Sequence, residues 1–217
     1  MNVEQARFNM IEQQIRTWEV LDERVLSVLA EIPREKFVPE EHSKLAFADL
    51  SIPLPHGEEM MPPKVEARML QTLSVRPDDV VLEVGTGSGY TTALLAAMAK
   101  QVYSVEIHPD LSASAQAKLA AMGIRNVTLD VGDAALGWDK HAPYDVIAIT
   151  GSCPTLPDWY KNSLKIGGRM FVVVGERPIM EAMLITRTGD NAWSQESLFE
   201  TDLRALVNAP RPQHFVF

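Results

Sequence analysis

Residues 80–96, VVLEVGTGSGYTTALLA, constrain the fold more than any other stretch: an apolar strand runs into Gly85, Gly87 and Gly89 and then into a helix. Glycine reaches backbone conformations closed to other residues, and its missing side chain lets a ligand approach bare backbone beside the free N–H groups of a helix start. A strand that turns this tightly into a helix is the opening of a parallel α/β unit. The rest of the chain keeps that rhythm: strand-like stretches at 80–84, 101–106, 127–131, 146–150 and 169–174 alternate with helix-like stretches at 91–99, 111–122 and 157–164. Residues 181–188 and 193–203, parted by the turn Gly189-Asp190-Asn191, read as two more strands. The predicted class is α/β: a Rossmann-like, doubly wound, mostly parallel sheet with an antiparallel edge and an N-terminal helical extension.

That extension spans residues 3–30, where Phe8, Ile11, Ile15, Val20, Leu21, Val25, Leu26 and Leu29 recur at near-helical spacing. They predict two amphipathic helices, with Asp22 placed to cap the second. Residues 32–63 carry six prolines and little periodicity, which predicts an ordered, irregular connection over the surface of the core. Pro63 then stands at a favourable helix start, before a helix at 64–73. The expected organisation is one domain over 1–217, with 1–63 supplying helices and a loop over the site and 64–217 the ligand-binding core.

Composition removes several function classes. Twenty basic against 29 acidic residues leave a net charge of -9, and no Lys/Arg-rich block interrupts it, which argues against a nucleic-acid partner. No apolar run reaches the ~18 residues that a membrane helix needs, and the start MNVEQARFNM lacks a basic stretch followed by an apolar core. A soluble, cytoplasmic protein without membrane association is expected. The single cysteine, Cys153, permits no intrachain disulfide and no metal cluster, so no metal site is expected and Cys153 reads as a small buried filler.

The glycine spacing is G-x-G-x-G, and Glu83 lies on the strand just before it. Beside a pyrophosphate that carboxylate would be repulsive, whereas beside the ammonium of an amino acid it would attract, directly or through water. S-adenosylmethionine is therefore favoured over NAD. Glu106 ends the next predicted strand, where an acidic residue can accept both hydroxyls of a ribose, and Asp133 follows the third strand, placed to accept from an adenine amino group. The expected cofactor set is Glu83, Gly85, Thr86, Gly87, Ser88, Gly89, Glu106, Ile107, Asp133 and Ala134. Taken singly, these features read as a tight turn, a solvated strand end and a helix cap. Their common register behind three consecutive strands points instead to one nucleoside.

With those residues placed, the chain resembles the protein-L-isoaspartate O-methyltransferase family over nearly its whole length. IPREKFVP at 32–39 and AFAD at 46–49 are similar to that family's V-P-R-E-x-F-V-P and A-Y-x-D segments. GDAALGWDKHAPYDVIAIT at 132–150 and LKIGGRMFVVVG at 164–175 are similar to its G-D-G-x-x-G-W and L-K-x-G-G-R-L-V-x-P-V-G blocks. The resemblance implies methyl transfer from S-adenosylmethionine to a carboxylate of a damaged aspartyl residue, with repair proceeding through a succinimide. It also implies that Thr150 and Gly151 border the methyl-transfer site, and that the partner is a protein or peptide substrate.

One stretch departs from the family. Where the family reads G-x-G-Q-T-I-S-x-P, residues 55–63 read PHGEEMMPP, so Glu59 replaces a threonine and Met61 a serine. Met61 has no O–H to orient a carboxylate, and TGSCP at 150–154 replaces the family's T-A-A-A-P. Glu58, Glu59 and Met61 are the expected catalytic stretch, with Glu58 or Glu59 acting as a base or as a clamp for a cationic acceptor; two exposed loop glutamates are the plainer reading. His56 reads as an exposed bystander, and residues 209–217 as a docked or frayed tail. The departure leaves two further functions open: methylation of a different acceptor, including a small molecule, or cofactor binding without repair. A nucleotide-dependent oxidoreductase is disfavoured by Glu83.

Overall fold

Local signals set the N-terminal elements of the computed structural model, which describes residues 2–211. Helix α1 (Val3–Met10) starts where the Asn2 side chain accepts from the Gln5 N–H, and α2 (Glu23–Glu31) starts where Asp22 accepts from the Arg24 N–H at 2.8 Å. Between them a π-helical turn (Ile11–Ile15) and a 3-10 turn (Arg16–Trp18) extend the first helix until Glu19 enters the left-handed region at φ 60°. The π-helical turn widens the buried stripe to Met10, Ile11 and Ile15. Phe8 and Leu21, which the spacing assigned to that stripe, are exposed.

The proline-rich connection folds into short 3-10 turns at Arg34–Lys36 and Glu40–Leu45, then a small antiparallel hairpin of β1 (Ile52–Pro53) and β2 (Glu59–Met60). Helix α3 (Pro63–Leu73) follows with Pro63 in its first turn, where the missing N–H costs nothing. The chain then alternates through β3 (Val80–Val84), α4 (Tyr90–Met98), β4 (Gln101–Glu106), α5 (Pro109–Ala121), β5 (Val127–Val131), β6 (Tyr144–Cys153), α6 (Asp158–Asn162) and β7 (Leu164–Glu176). A meander of β8 (Ile179–Gly189) and β9 (Ala192–Glu200) completes it.

The sheet order is β5-β4-β3-β6-β7-β8-β9. The first five strands in that order are mutually parallel, whereas β8 and β9 pair antiparallel. This is the doubly wound, mostly parallel sheet with an antiparallel edge that the alternation predicts. Several boundaries differ: β6 and β7 run well past the expected 146–150 and 169–174, α6 is shorter than the expected 157–164, and β9 stops at Glu200. Residues 203–206 leave the edge to run beside β6, where Ser152 N–H donates to the Arg204 carbonyl and Leu206 N–H to the Ser152 carbonyl. Backbone groups of a buried strand end must be paired, and this returning segment pairs them.

Strict alternation divides the core. Val81, Val102, Val146, Ala148, Phe171 and Val173 face the N-terminal helices and α4, whereas Leu82, Val84, Val105, Ile147, Ile149, Met170 and Val172 face the opposite side. Burial on both faces explains why these strands read as continuous apolar runs. Cover is unequal: the second face is closed by the short α6, through Tyr160, and by Ala134 and Trp138 of the β5–β6 connection. From β3 the chain winds outward through β4 to β5, then crosses back to β6 on the other side of β3. The crevice beyond the carboxyl ends of β3 and β6 is where ligands bind in such sheets.

Candidate active site

At that crevice Gly85 has φ 96°, and a Cβ there would collide with Thr150 Oγ1 at the end of β6. The Thr150 hydroxyl lies 2.8 Å from the Val84 carbonyl and 2.7 Å from the Gly85 carbonyl, which locks the two strand ends together. Gly87 has φ 52°, and its N–H donates to Glu106 Oε2 at 2.8 Å. Glu106 Oε1 accepts from the His108 N–H at 3.0 Å, so the carboxylate is held at the end of β4 beside the loop.

The crevice opens into a cleft of about 740 Å³, part of which is open to solvent. Gly85, Gly87, Glu106, Ile107, Asp133, Ala134, Thr150 and Gly151 line it, together with Glu58, Glu59 and Met61 from the proline-rich side. Asp133 Oδ1 accepts from the Ala135 N–H at 2.9 Å and Oδ2 from Asn208 Nδ2 at 2.8 Å.

Four residues of the expected cofactor set do not line the cleft. Glu83 is fully buried beneath the loop, where its Oε2 accepts from Thr92 Oγ1 at 2.5 Å and Ser104 Oγ at 2.6 Å. Burial pushes its carboxyl up to about 8, against the pull of those two hydroxyls, and its Oε1 has no hydrogen-bond partner among the described residues. Thr86 Oγ1 shares a hydrogen bond with Ser104 Oγ at 2.6 Å, and Ser88 Oγ accepts from the Tyr90 N–H. At Gly89 a Cβ would stand 2.9 Å from the Ala115 Cβ, so this glycine serves the approach of α5. The strand–loop–helix turn is three-dimensional, and alternate residues of it face inward to the core.

The proline-rich wall of the cleft is held from far upstream. Arg34 is fully buried; its Nε donates to the Ala46 carbonyl at 3.0 Å, its Nη2 to the Met61 carbonyl at 2.7 Å, and its Nη1 forms an ion pair with Glu66. Burial pushes the Glu66 carboxyl up to about 7 against the attraction of Arg34. Glu66 also accepts from Thr91 Oγ1 on α4, which ties this wall to the helix of the glycine loop.

Glu59 is exposed at the rim, whereas Glu58 is half-buried with Oε2 3.5 Å from Arg204 Nε and Oε1 3.6 Å from His108 Nε2. His56 is exposed, as expected, and is not among the residues that line the cleft. It adopts φ 62°, stacks on His108 at 4.2 Å with 8° between the planes, and its Nε2 lies 2.9 Å from Asp110. That hydrogen bond holds the Asp110 carboxyl below the usual carboxylate range. Cys153 is buried, and burial pushes its thiol up to about 12.

Sequence reasoning missed Ser51, Arg204 and the apolar strap Leu203, Leu206 and Val207, all of which line the cleft. The strap carried no local signal, because only its pairing with β6 brings it there.

A sequence model of the family described as protein-L-isoaspartate(D-aspartate) O-methyltransferase matches residues 5–209. This chain belongs to the protein-L-isoaspartate O-methyltransferase family. A family protein of Synechococcus sp. is 38% identical over 93% of this chain and 85% of its own length, and one of Myxococcus xanthus is 44% identical over 73% and 74%. A solved protein-L-isoaspartate O-methyltransferase shares the family fold at a TM-score of 0.79, with 24% identity over 93% of this chain and 65% of that one. A Plasmodium falciparum structure, described as a beta-aspartate methyltransferase in complex with S-adenosyl-L-homocysteine, gives the same TM-score of 0.79 at 19% identity, covering 95% and 99%.

S-adenosylmethionine, the family's methyl donor, fits the residues present here. The bare backbone at Gly85 and Gly87 would be filled by any Cβ, and the Glu106 carboxylate keeps lone pairs beyond its two backbone donors. Among the described residues, no group of three or more potential ligands could hold a metal, and no helix is long and apolar enough to cross a membrane.

Proposed function

We propose that this protein transfers a methyl group from S-adenosylmethionine to the free carboxylate of isoaspartyl residues in proteins, as the names of its relatives describe for them. One observation carries the reading: a single cleft at the β3/β6 switch point is lined both by the glycine cradle with Glu106 and Asp133 and by the proline-rich wall from Glu58 to Met61. Donor and acceptor sides therefore meet in one space.

When bound, the cofactor supplies an electrophilic methyl: the carboxylate oxygen forms the new C–O bond as the methyl–sulfur bond breaks and its electron pair stays on sulfur. The protein's work is then positioning and exclusion of water. Gly85 and Gly87 admit the amino-acid portion, Glu106 takes the ribose hydroxyls, and Asp133 with Ala134 faces the adenine. Thr150 and Gly151 border the point of transfer. Met60, Met61, Leu203, Leu206 and Val207 make the acceptor side apolar, which strengthens every charge interaction within it. A carboxylate is already ionised at neutral pH, so no base is required and Glu58 serves to hold Arg204 and His108 at the rim.

A cytoplasmic location and a protein or peptide partner belong to this reading, supported by the ordinary globular composition and by the net charge of -9. Labelled methyl transfer to an isoaspartyl peptide, beside the aspartyl peptide of the same sequence, tests it. Transfer to the isoaspartyl form alone is expected; binding of S-adenosylhomocysteine with transfer to neither peptide would overturn the acceptor.

A further inference from the structure

The acceptor side of the cleft needs a hydrogen-bond donor, because a carboxylate entering an apolar wall loses its water and an unpaired anion there is costly. The groups that line that side are few. Met60 and Met61 carry no donor, and Glu58 and Glu59 only accept when ionised. The Thr150 hydroxyl is committed to the carbonyls of Val84 and Gly85, and Arg204 is a half-exposed group at the rim whose Nε stands 3.5 Å from Glu58.

Ser51 is different. It lines the same cleft, is only partly buried, and its hydroxyl makes no hydrogen bond among the described residues. Its place follows from the hairpin: Ile52 pairs with Met60 and Pro53 with Glu59, so continuing the antiparallel register by one residue sets Ser51 opposite Met61. Directly opposed residues of an antiparallel pair project to the same face with their Cβ atoms ~5 Å apart. The Met61 side of that pair is held in place by Arg34, which donates to its carbonyl.

We propose that Ser51 is the acceptor-binding hydroxyl of this enzyme, donating its O–H to the carboxylate oxygen that does not attack the methyl group. Resting on the isoaspartyl reading above, this assigns the donor to the strand across from Met61. The hydroxyl keeps its proton throughout; it orients the carboxylate so that the second oxygen lies in line with the methyl–sulfur bond.

The test uses the full-length protein with an isoaspartyl peptide in three forms: wild type, Ser51→Ala, and Ser51→Ala combined with Met61→Ser. A hydrogen bond to a charged group contributes about tenfold to hundredfold in an equilibrium or rate. Ser51→Ala is therefore expected to lower kcat/KM by that factor and to weaken peptide binding measured calorimetrically in the presence of S-adenosylhomocysteine. Affinity for S-adenosylhomocysteine itself stays at the wild-type value. Returning a hydroxyl across the hairpin in the double variant is expected to recover most of the lost kcat/KM.

Unchanged kcat/KM and peptide affinity in Ser51→Ala would overturn the proposal while leaving the methyltransferase reading intact. So would a double variant that binds S-adenosylhomocysteine normally and recovers nothing. A wild-type protein inactive on the peptide removes the acceptor reading, and the role of Ser51 with it.

Discussion

The guanidinium of Arg34 donates to the carbonyl of Met61 at 2.7 Å, so a residue in the first proline-rich turn fixes the wall of the cleft that Met61 lines. The same group pairs with Glu66, reaches the Ala46 carbonyl and lies 4.9 Å over the Tyr90 ring, all without exposure to solvent. Removing one partner of a buried ion pair strands the other, at a cost of about 3–5 kcal/mol. Arg34→Met is therefore expected to lower unfolding free energy by roughly that amount in urea. Replacing Arg34 and Glu66 together with apolar residues should restore much of the stability yet leave kcat low, since nothing then holds the Met61 carbonyl. A single variant within about 1 kcal/mol of wild type would contradict this account.

Two glycines of one motif are expected to fail differently. At Gly85 an added Cβ meets Thr150 Oγ1 beside the cleft, whereas at Gly89 it meets Ala115 on α5, with Cβ to Cβ at 2.9 Å. Gly85→Ala should reduce S-adenosylhomocysteine affinity by at least about tenfold, an effect of ~1.4 kcal/mol. Gly89→Ala should mainly lower Tm, with a much smaller change in affinity. Paired calorimetric titrations and thermal melts distinguish the two; equal behaviour would show that both glycines serve the same contact.

Burial raises the carboxyl of Glu83 from 4.5 to about 8, so the folded state favours its protonated form. A raised pKa in the folded state contributes stability that is fully present below the unfolded value and lost as pH rises through the folded one. Tm is thus expected to decline from about pH 5 to about pH 9 in part through this group. In Glu83→Gln that decline should be shallower by an amount on the order of a few kcal/mol. Parallel melts across that range check it, and superimposable slopes would remove Glu83 as the cause.

Asn208 holds Asp133 from the strap side, with Nδ2 2.8 Å from Oδ2, in a left-handed backbone at φ 63°. Asn208→Gly keeps that backbone conformation and removes only the side-chain bond. A severalfold loss of S-adenosylhomocysteine affinity is expected, and a smaller loss for the analogue lacking the adenine amino group. Equal losses for both ligands would show that Asn208 does not act through Asp133.

How far the sequence reached depends on the range of the interaction involved. The bounds read for β3, β4 and β5 are those of the structure, and Asp22 caps α2 as its position predicts. The glycine turn and the carboxylates at the strand ends are local, each depending on a few neighbouring residues. The succession of strand-like and helix-like stretches thereby determined a mostly parallel, doubly wound sheet and, through it, the place of the crevice.

What the tertiary structure decided is every pairing between distant segments. The strap at 203–206 abandons the edge to pair with Ser152, His56 finds His108, Arg34 reaches Met61, and the β1–β2 hairpin brings Ser51 to the same cleft as Met61. It also buried Glu83 beneath the glycine loop, outside the lining of the cleft. Such contacts carry no local periodicity, because burying polar groups beside partners far along the chain is settled only when the whole core closes around them.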